Sequence, residues 1–122
     1  MVDFKHGKIC YIFMPSQDPA RSGAFYRDVF GWNLRSSDDG GMSFDDSTGQ
    51  VSGTWVTDRP AASEHNLEVH IMVDDLDTAI TAIRAAGGSV DMADVHAEGE
   101  RWGVFTDVDG NRLGIYQDSS GS

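Results

Sequence analysis

The chain has 122 residues, the size of one ordinary domain, and its 20 acidic against nine basic residues give a formal net charge of −11. A surface of that sign repels a phosphate backbone, so nucleic acid is not an expected partner, and the acidity reads as a device for solubility or, alternatively, as the mark of a salt-adapted proteome. There is no run of eighteen apolar residues to span a membrane and no apolar core near the N-terminus to act as a secretion signal; Cys10, the single cysteine, has no intrachain partner, so a reducing cytoplasm is the expected compartment.

In chain order, Lys8 to Met14 reads as a strand, with Ile9, Tyr11 and Phe13 on one face and Cys10, Ile12 and Met14 on the other. After a break at Pro15, Asp18 stands as a helix N-cap with Pro19 at the first helical position, where its missing amide costs nothing. Ser22, Phe25, Tyr26, Val29 and Phe30 form the apolar stripe of that helix, and Gly31 closes it. A strand from Trp32 to Arg35, a hairpin turn at Asp38-Asp-Gly-Gly41, a short strand Met42 to Phe44, a turn from Asp45 to Gly49 and a strand Gln50 to Val56 follow. Thr57 to His65 has no period, carries Pro60 and reads as a linker.

Leu67, Val69, Ile71 and Val73 then alternate with Glu68, His70 and Met72, which predicts a strand with one apolar and one more polar face. Leu76, Ala79, Ile80 and Ile83 shift to helical spacing, with Asp74 or Asp75 as N-cap and Gly87-Gly88 as the stop. The aliphatic faces of strand and helix are expected to pack together, leaving Glu68 and His70 pointing away. A strand Ser89 to Val95, a loop Ala97-Glu-Gly-Glu100, a strand Arg101 to Thr106, a turn Asp107-Val-Asp-Gly-Asn111, a last strand Arg112 to Gln117 and a polar tail Asp118 to Ser122 complete the chain. His6, His65 and His96 fall in loops or at ends and read as solvated.

The plan is a repeat. Asp18 and Asp75, Gly31 and Gly88, and Tyr11 and Glu68 are each 57 residues apart. Each half is strand, helix, three strands, and a half of that length has a small core. The expectation is one domain of two modules, 6–57 and 66–117, joined by a linker at 58–65.

The stretches Asp18-Pro-Ala-Arg-Ser-Gly-Ala-Phe-Tyr-Arg-Asp-Val-Phe-Gly-Trp32, Val73-Asp-Asp-Leu-Asp77 and Asp107-Val-Asp-Gly-Asn-Arg112 resemble the vicinal oxygen chelate superfamily, which includes glyoxalase I, bleomycin resistance proteins and extradiol dioxygenases. The resemblance covers nearly the whole chain. It implies an α+β fold of two tandem βαβββ modules, a curled, cup-shaped mixed sheet with the helices outside, and a homodimer in which modules of two chains complete the cup.

Enzymes of that superfamily usually hold a divalent metal on His or Glu side chains from the first and fourth strands of each module. Matching by the family pattern and the internal repeat brings those positions to Tyr11, Gly53, Glu68 and Gly114. Two glycines offer no side-chain ligand and a phenol is a poor one near neutral pH. His70 on the same face as Glu68 raises the count only to two, so neither a metal nor another cofactor is expected.

Alternation predicts the side chains that face the cup: Ile9, Tyr11 and Phe13; Val51, Gly53 and Trp55; Glu68, His70 and Met72; Arg112, Gly114 and Tyr116. The two glycines opposite aromatics are expected to leave room, with Gly114 letting a flat ligand approach the last strand. The expected binding residues are Tyr11, Phe13, Trp55, Met72, Arg112, Gly114 and Tyr116, with Trp102 closing the mouth from a loop; alternatively the aromatics only fill the cup. Glu68 and His70 form a candidate acid–base pair, or Glu68 pairs with Arg112 or Tyr11 and His70 is an ordinary strand residue.

Two functions follow. The first is a metal-free binding protein for a small planar molecule, similar to the bleomycin resistance proteins. The second is a superfamily enzyme, a lyase, isomerase or dioxygenase, with an atypical metal site or Glu68/His70 acid–base chemistry. The missing ligands favour the first.

Overall fold

The computed structural model describes residues 6–64, 67–95 and 100–118, the last four of the middle stretch by backbone alone. The elements are β1 (Tyr11–Pro15), α1 (Pro19–Phe30), β2 (Asn33–Ser36), β3 (Met42–Asp45), β4 (Ser52–Val56), β5 (His70–Met72), α2 (Leu76–Ala85), β6 (Ser89–Val95), β7 (Arg101–Thr106) and β8 (Arg112–Gln117). They form two compact units, Met1–Ala61 and Ala62–Ser122, here called module one and module two. Each has one four-stranded mixed sheet, ordered β1-β4-β3-β2 and β5-β8-β7-β6. In both, the first and last strands of the module pair in parallel and the remaining pairs are antiparallel. The α+β fold of two βαβββ modules is therefore present.

The helix ends follow their sequence signals. The Asp18 carboxylate accepts from the Arg21 amide at 3.3 Å, Pro19 is the first helical residue, and Gly31 takes φ +74°, the left-handed conformation that ends α1. In α2 the cap is Asp75, whose carboxylate accepts from both the amide and the hydroxyl of Thr78 at 2.9 and 2.6 Å. Ala86 caps the other end and Gly87, at φ +100°, turns the chain away.

Module one is built on an aromatic stack. The rings of Tyr26 and Trp32, and of Trp32 and Phe44, lie parallel at 4.6 Å between centroids, and Trp55 tilts against Phe44 at 4.7 Å. This corrects the expected position of Trp55: it is 3 % exposed and belongs to the core, not to a binding face. The strand register gives the reason. Tyr11 pairs with Ser52 and Phe13 with Thr54, so the face bearing Tyr11 and Phe13 continues into Ser52, Thr54 and Val56. Gly53 and Trp55 point the other way, because a one-residue difference in register exchanges the two faces of a strand. A Cβ at Gly53 would lie 2.2 Å from the Phe44 ring and 2.4 Å from the Ile12 carbonyl oxygen, so glycine there admits Phe44 to the core.

Module two buries Leu76, Ala79 and Ile83 of α2 against Phe105, Leu113 and Ile115 of its sheet. Asp107 and Asn111 are buried too, and their bonds explain the Asp-Gly-Asn turn. Asp107 accepts from the amides of Asp109 and Asn111 and from the Asn111 carboxamide, while the Asn111 side-chain oxygen accepts from the Ala62 amide at 2.8 Å. The turn thus ties down the start of module two and fixes where β8 begins. The edge strand β5 is shorter than expected. Its ladder with β8 covers only His70 to Met72, extended by bonds from the Gly114 amide to the Val69 carbonyl and from the Val73 amide to the Tyr116 carbonyl. Leu67, 95 % exposed, and Val69, also exposed, do not join the apolar face assigned to them; Ile71 and Val73 are half-buried.

Candidate functional site

The side chains with chemistry to offer gather on the face of the module-two sheet away from the Phe105, Leu113 and Ile115 core. The ladder puts His70 beside Gly114, Met72 beside Tyr116, and Trp102 on the other side of Tyr116. Partners directly across a ladder share a face, and Glu68, two residues before His70, continues it, so Glu68, His70, Tyr116 and Trp102 are presented together. With Glu100 they line an open hollow of about 350 Å³. Among the described residues the walls are two aromatic rings and an imidazole, and the polar groups are two carboxylates and the Tyr116 hydroxyl.

Each carboxylate has one local donor. The Tyr116 hydroxyl donates to Glu100 Oε2 at 2.8 Å, and this bond raises the Tyr116 pKa above the ordinary phenol value by holding the proton on the ring oxygen. Glu68 Oε1 lies 2.8 Å from His70 Nε2. The His70 ring stands edge-on to Trp102, with centroids 6.2 Å apart. Arg112 lies at the side: its Nε is 3.9 Å from Glu68 Oε2, beyond hydrogen-bond reach, and its Nη1 is 3.4 Å from Asp91 Oδ2. Asp91 also accepts from the Thr106 hydroxyl at 2.9 Å.

Gly114 has a different use from the one expected. A Cβ there would fall 2.4–2.6 Å from Cε1, Nδ1 and Nε2 of His70. The imidazole lies flat on the glycine and fills the space anticipated for a ligand. Gly114 therefore allows His70 to fold down and meet Glu68.

Of the expected site residues, Glu68, His70, Trp102 and Tyr116 come together in the hollow, with Gly114 beneath His70 and Arg112 beside Glu68. Met72 is on the same face but 66 % exposed and outside the lining. Tyr11 and Phe13 are exposed on β1 of module one, their rings edge-to-face at 5.6 Å with the Arg59 guanidinium over Phe13. Trp55 is in the module-one core, and Gly53 is replaced by Thr54 as the register counterpart of Gly114. His6 is exposed; His65 and His96 lie outside the described residues, as do most of the expected loop before Glu100 and of the polar tail. Sequence reasoning missed Glu100. The signal was available, since Glu100 is two residues before Trp102 and alternation puts the two on one face.

The chain is matched from residue 8 to residue 115 by the model of the glyoxalase/bleomycin resistance protein/dioxygenase superfamily. It belongs to that superfamily. A search of curated proteins found no match. Solved structures with the same fold include a genomically encoded fosfomycin resistance protein from Listeria monocytogenes, 16 % identical with a TM-score of 0.77, the match covering 93 % of each chain. An antibiotic-binding protein from a Streptomyces species is 20 % identical with a TM-score of 0.71, covering 94 % of this chain and 98 % of that one. A lactoylglutathione lyase from Agrobacterium tumefaciens is 20 % identical with a TM-score of 0.65, covering 93 % and 96 %. Identities this low establish the fold and leave the chemistry to the site. The superfamily's usual metal does not fit the side chains present. Its four positions correspond by register to Tyr11, Thr54, Glu68 and Gly114, and among the described residues no three His, Cys, Asp or Glu side chains are grouped to hold an ion.

Proposed function

We propose that this superfamily member is a metal-independent binding protein for a small planar molecule, held against Trp102 and Tyr116 in the module-two hollow. The observation that carries the reading is the lining itself: aromatic walls with a few fixed polar groups, in a space the size of a small organic ligand. Kinship in fold with an antibiotic-binding protein and a fosfomycin resistance protein supports a ligand of antibiotic size. A homodimer is part of the proposal. Ile9, Tyr11 and Phe13 in module one and Leu67, Val69 and Met72 in module two are large apolar side chains left exposed, and a second copy is the occupant that covers them. The exposed lone Cys10 suits a reducing cytoplasm.

A second reading is favoured by one contact. The 2.8 Å approach of His70 Nε2 to Glu68 Oε1 is the geometry of an acid–base couple, and it would serve a superfamily enzyme that moves a proton without a metal. A thermal-shift screen of planar aromatic compounds separates the two. A binder should raise the melting temperature of the wild type, and Trp102→Ala should abolish that rise. Product formation from a hit, lost in His70→Ala, would establish the enzyme reading instead. Hits that Trp102→Ala leaves unaffected would place binding away from the hollow.

A further inference from the structure

The charges around the hollow are unbalanced. Glu68 and Glu100 both line it, and among the described lining residues there is no lysine or arginine. Arg112 is the cation nearest Glu68, but it also faces Asp91, so one positive charge stands against two negative ones. Arg101 follows Glu100 in the sequence, yet its guanidinium goes to Asp77 of α2 at 3.1 Å, on the opposite face of the sheet. Among the described ion pairs Glu100 has no cationic partner, and the hydroxyl that holds it is neutral. The whole chain adds a negative field of the same sign.

We infer that the module-two hollow selects an organic cation carried on a planar body, with Glu100 as its principal counter-charge, Glu68 as the second, and the Trp102 and Tyr116 rings as its stacking surface. The inference rests on the binding reading above and adds the charge of the ligand. Three features of the geometry lead to it. The Tyr116 and His70 contacts hold both carboxylates in fixed positions on the lining, so little ordering is left for the ligand to impose. The indole and phenol rings attract a cation through their faces and stack on a planar ring. A phosphonate or carboxylate ligand would meet two carboxylates and, among the described lining residues, no lysine or arginine, which separates this site from one built for an anion. A bare metal ion is equally unsuited, since no three described His, Cys, Asp or Glu side chains are grouped closely enough to hold one.

The test uses three acridines of one shape and different charge: N-methylacridinium, neutral acridine and acridine carboxylate, titrated calorimetrically into the full chain slightly above neutral pH and at low salt. N-methylacridinium should bind about ten-fold more tightly than acridine, the carboxylate more weakly than either, and added salt should erode the difference. Glu100→Gln keeps an acceptor for the Tyr116 hydroxyl and loses the charge. It should weaken the cation about ten-fold more than it weakens acridine, with circular dichroism confirming the fold. Equal affinity for cation and neutral ring, both lost in Trp102→Ala, would overturn the charge inference and leave the aromatic site standing. A cation preference unchanged by both Glu100→Gln and Glu68→Gln would overturn it as well, since the charge would then be read elsewhere. No binding of any of the three would overturn the aromatic site, and the inference with it.

Discussion

Two glycines in equivalent strands perform opposite tasks. Gly53 faces the buried Phe44 ring and the Ile12 carbonyl, neither of which can withdraw; Gly114 faces a half-exposed imidazole that can swing out by rotation about its own side-chain bonds. Gly53→Ala should therefore cost about 3 kcal/mol or more, and Gly114→Ala about 1 kcal/mol. Chemical denaturation of both variants measures the difference. The Gly114 cost should largely vanish in a His70→Ala background, because the three atoms nearest the added Cβ all belong to that ring. Equal costs would mean that the two glycines are not on opposite faces. The sequence made Gly114 and its face legible because the Asp107–Asn111 turn fixes the start of β8. Gly53 was misassigned because the loops before β4 and β8 differ in length, and a glycine carries no polarity to show which face it is on. Its pairing with Phe44 was the missing clue: an aromatic residue packed over a strand glycine is a core arrangement.

Among the elements, the helices were the most legible, since a capping side chain acts on its own neighbours and needs no tertiary context. The two caps are unequal. Asp75 accepts two bonds from Thr78, Asp18 one longer bond from Arg21. Asp75→Ala should lower the denaturant midpoint, and Asp18→Ala should lower it less. The Asp75 carboxyl is held below its ordinary pKa, first by the Thr78 hydroxyl and then by the Thr78 amide. A carboxyl pKa lowered in the folded state adds stability above the ordinary carboxylate value, and that stability is lost as pH falls through the lowered one. The difference between wild type and Asp75→Ala should shrink along that course. A gap constant down to strongly acid pH would remove the carboxylate from the cap. The strands were less legible at their ends. The alternation from Leu67 to Val73 suggested a strand with one apolar face along its whole length, but β5 is a short edge with one neighbour, and the described residues leave Leu67 and Val69 exposed.

For the molecule as a whole, exposed Ile9, Phe13, Leu67 and Met72 are too many large apolar side chains for a surface otherwise so acidic. Light scattering should give about twice the chain mass of 13.3 kDa, and Ile9→Glu combined with Phe13→Glu should give a folded monomer. A wild-type monomer at micromolar concentration would set the dimer aside. The composition could indicate the class of partner but not the position of the site, because Glu68, His70, Glu100, Trp102 and Tyr116 meet only through pairing of β5, β8 and β7. If these five residues form the binding surface, amide chemical-shift mapping with a hit from the aromatic screen will locate the ligand on them. Shifts are expected at the amides of Glu68, His70, Glu100, Gly114 and Tyr116 and at the Trp102 indole, with Phe44 and Trp55 in the module-one core unmoved. A saturating ligand that leaves the Trp102 indole and the β5 and β8 amides where they were would contradict that location.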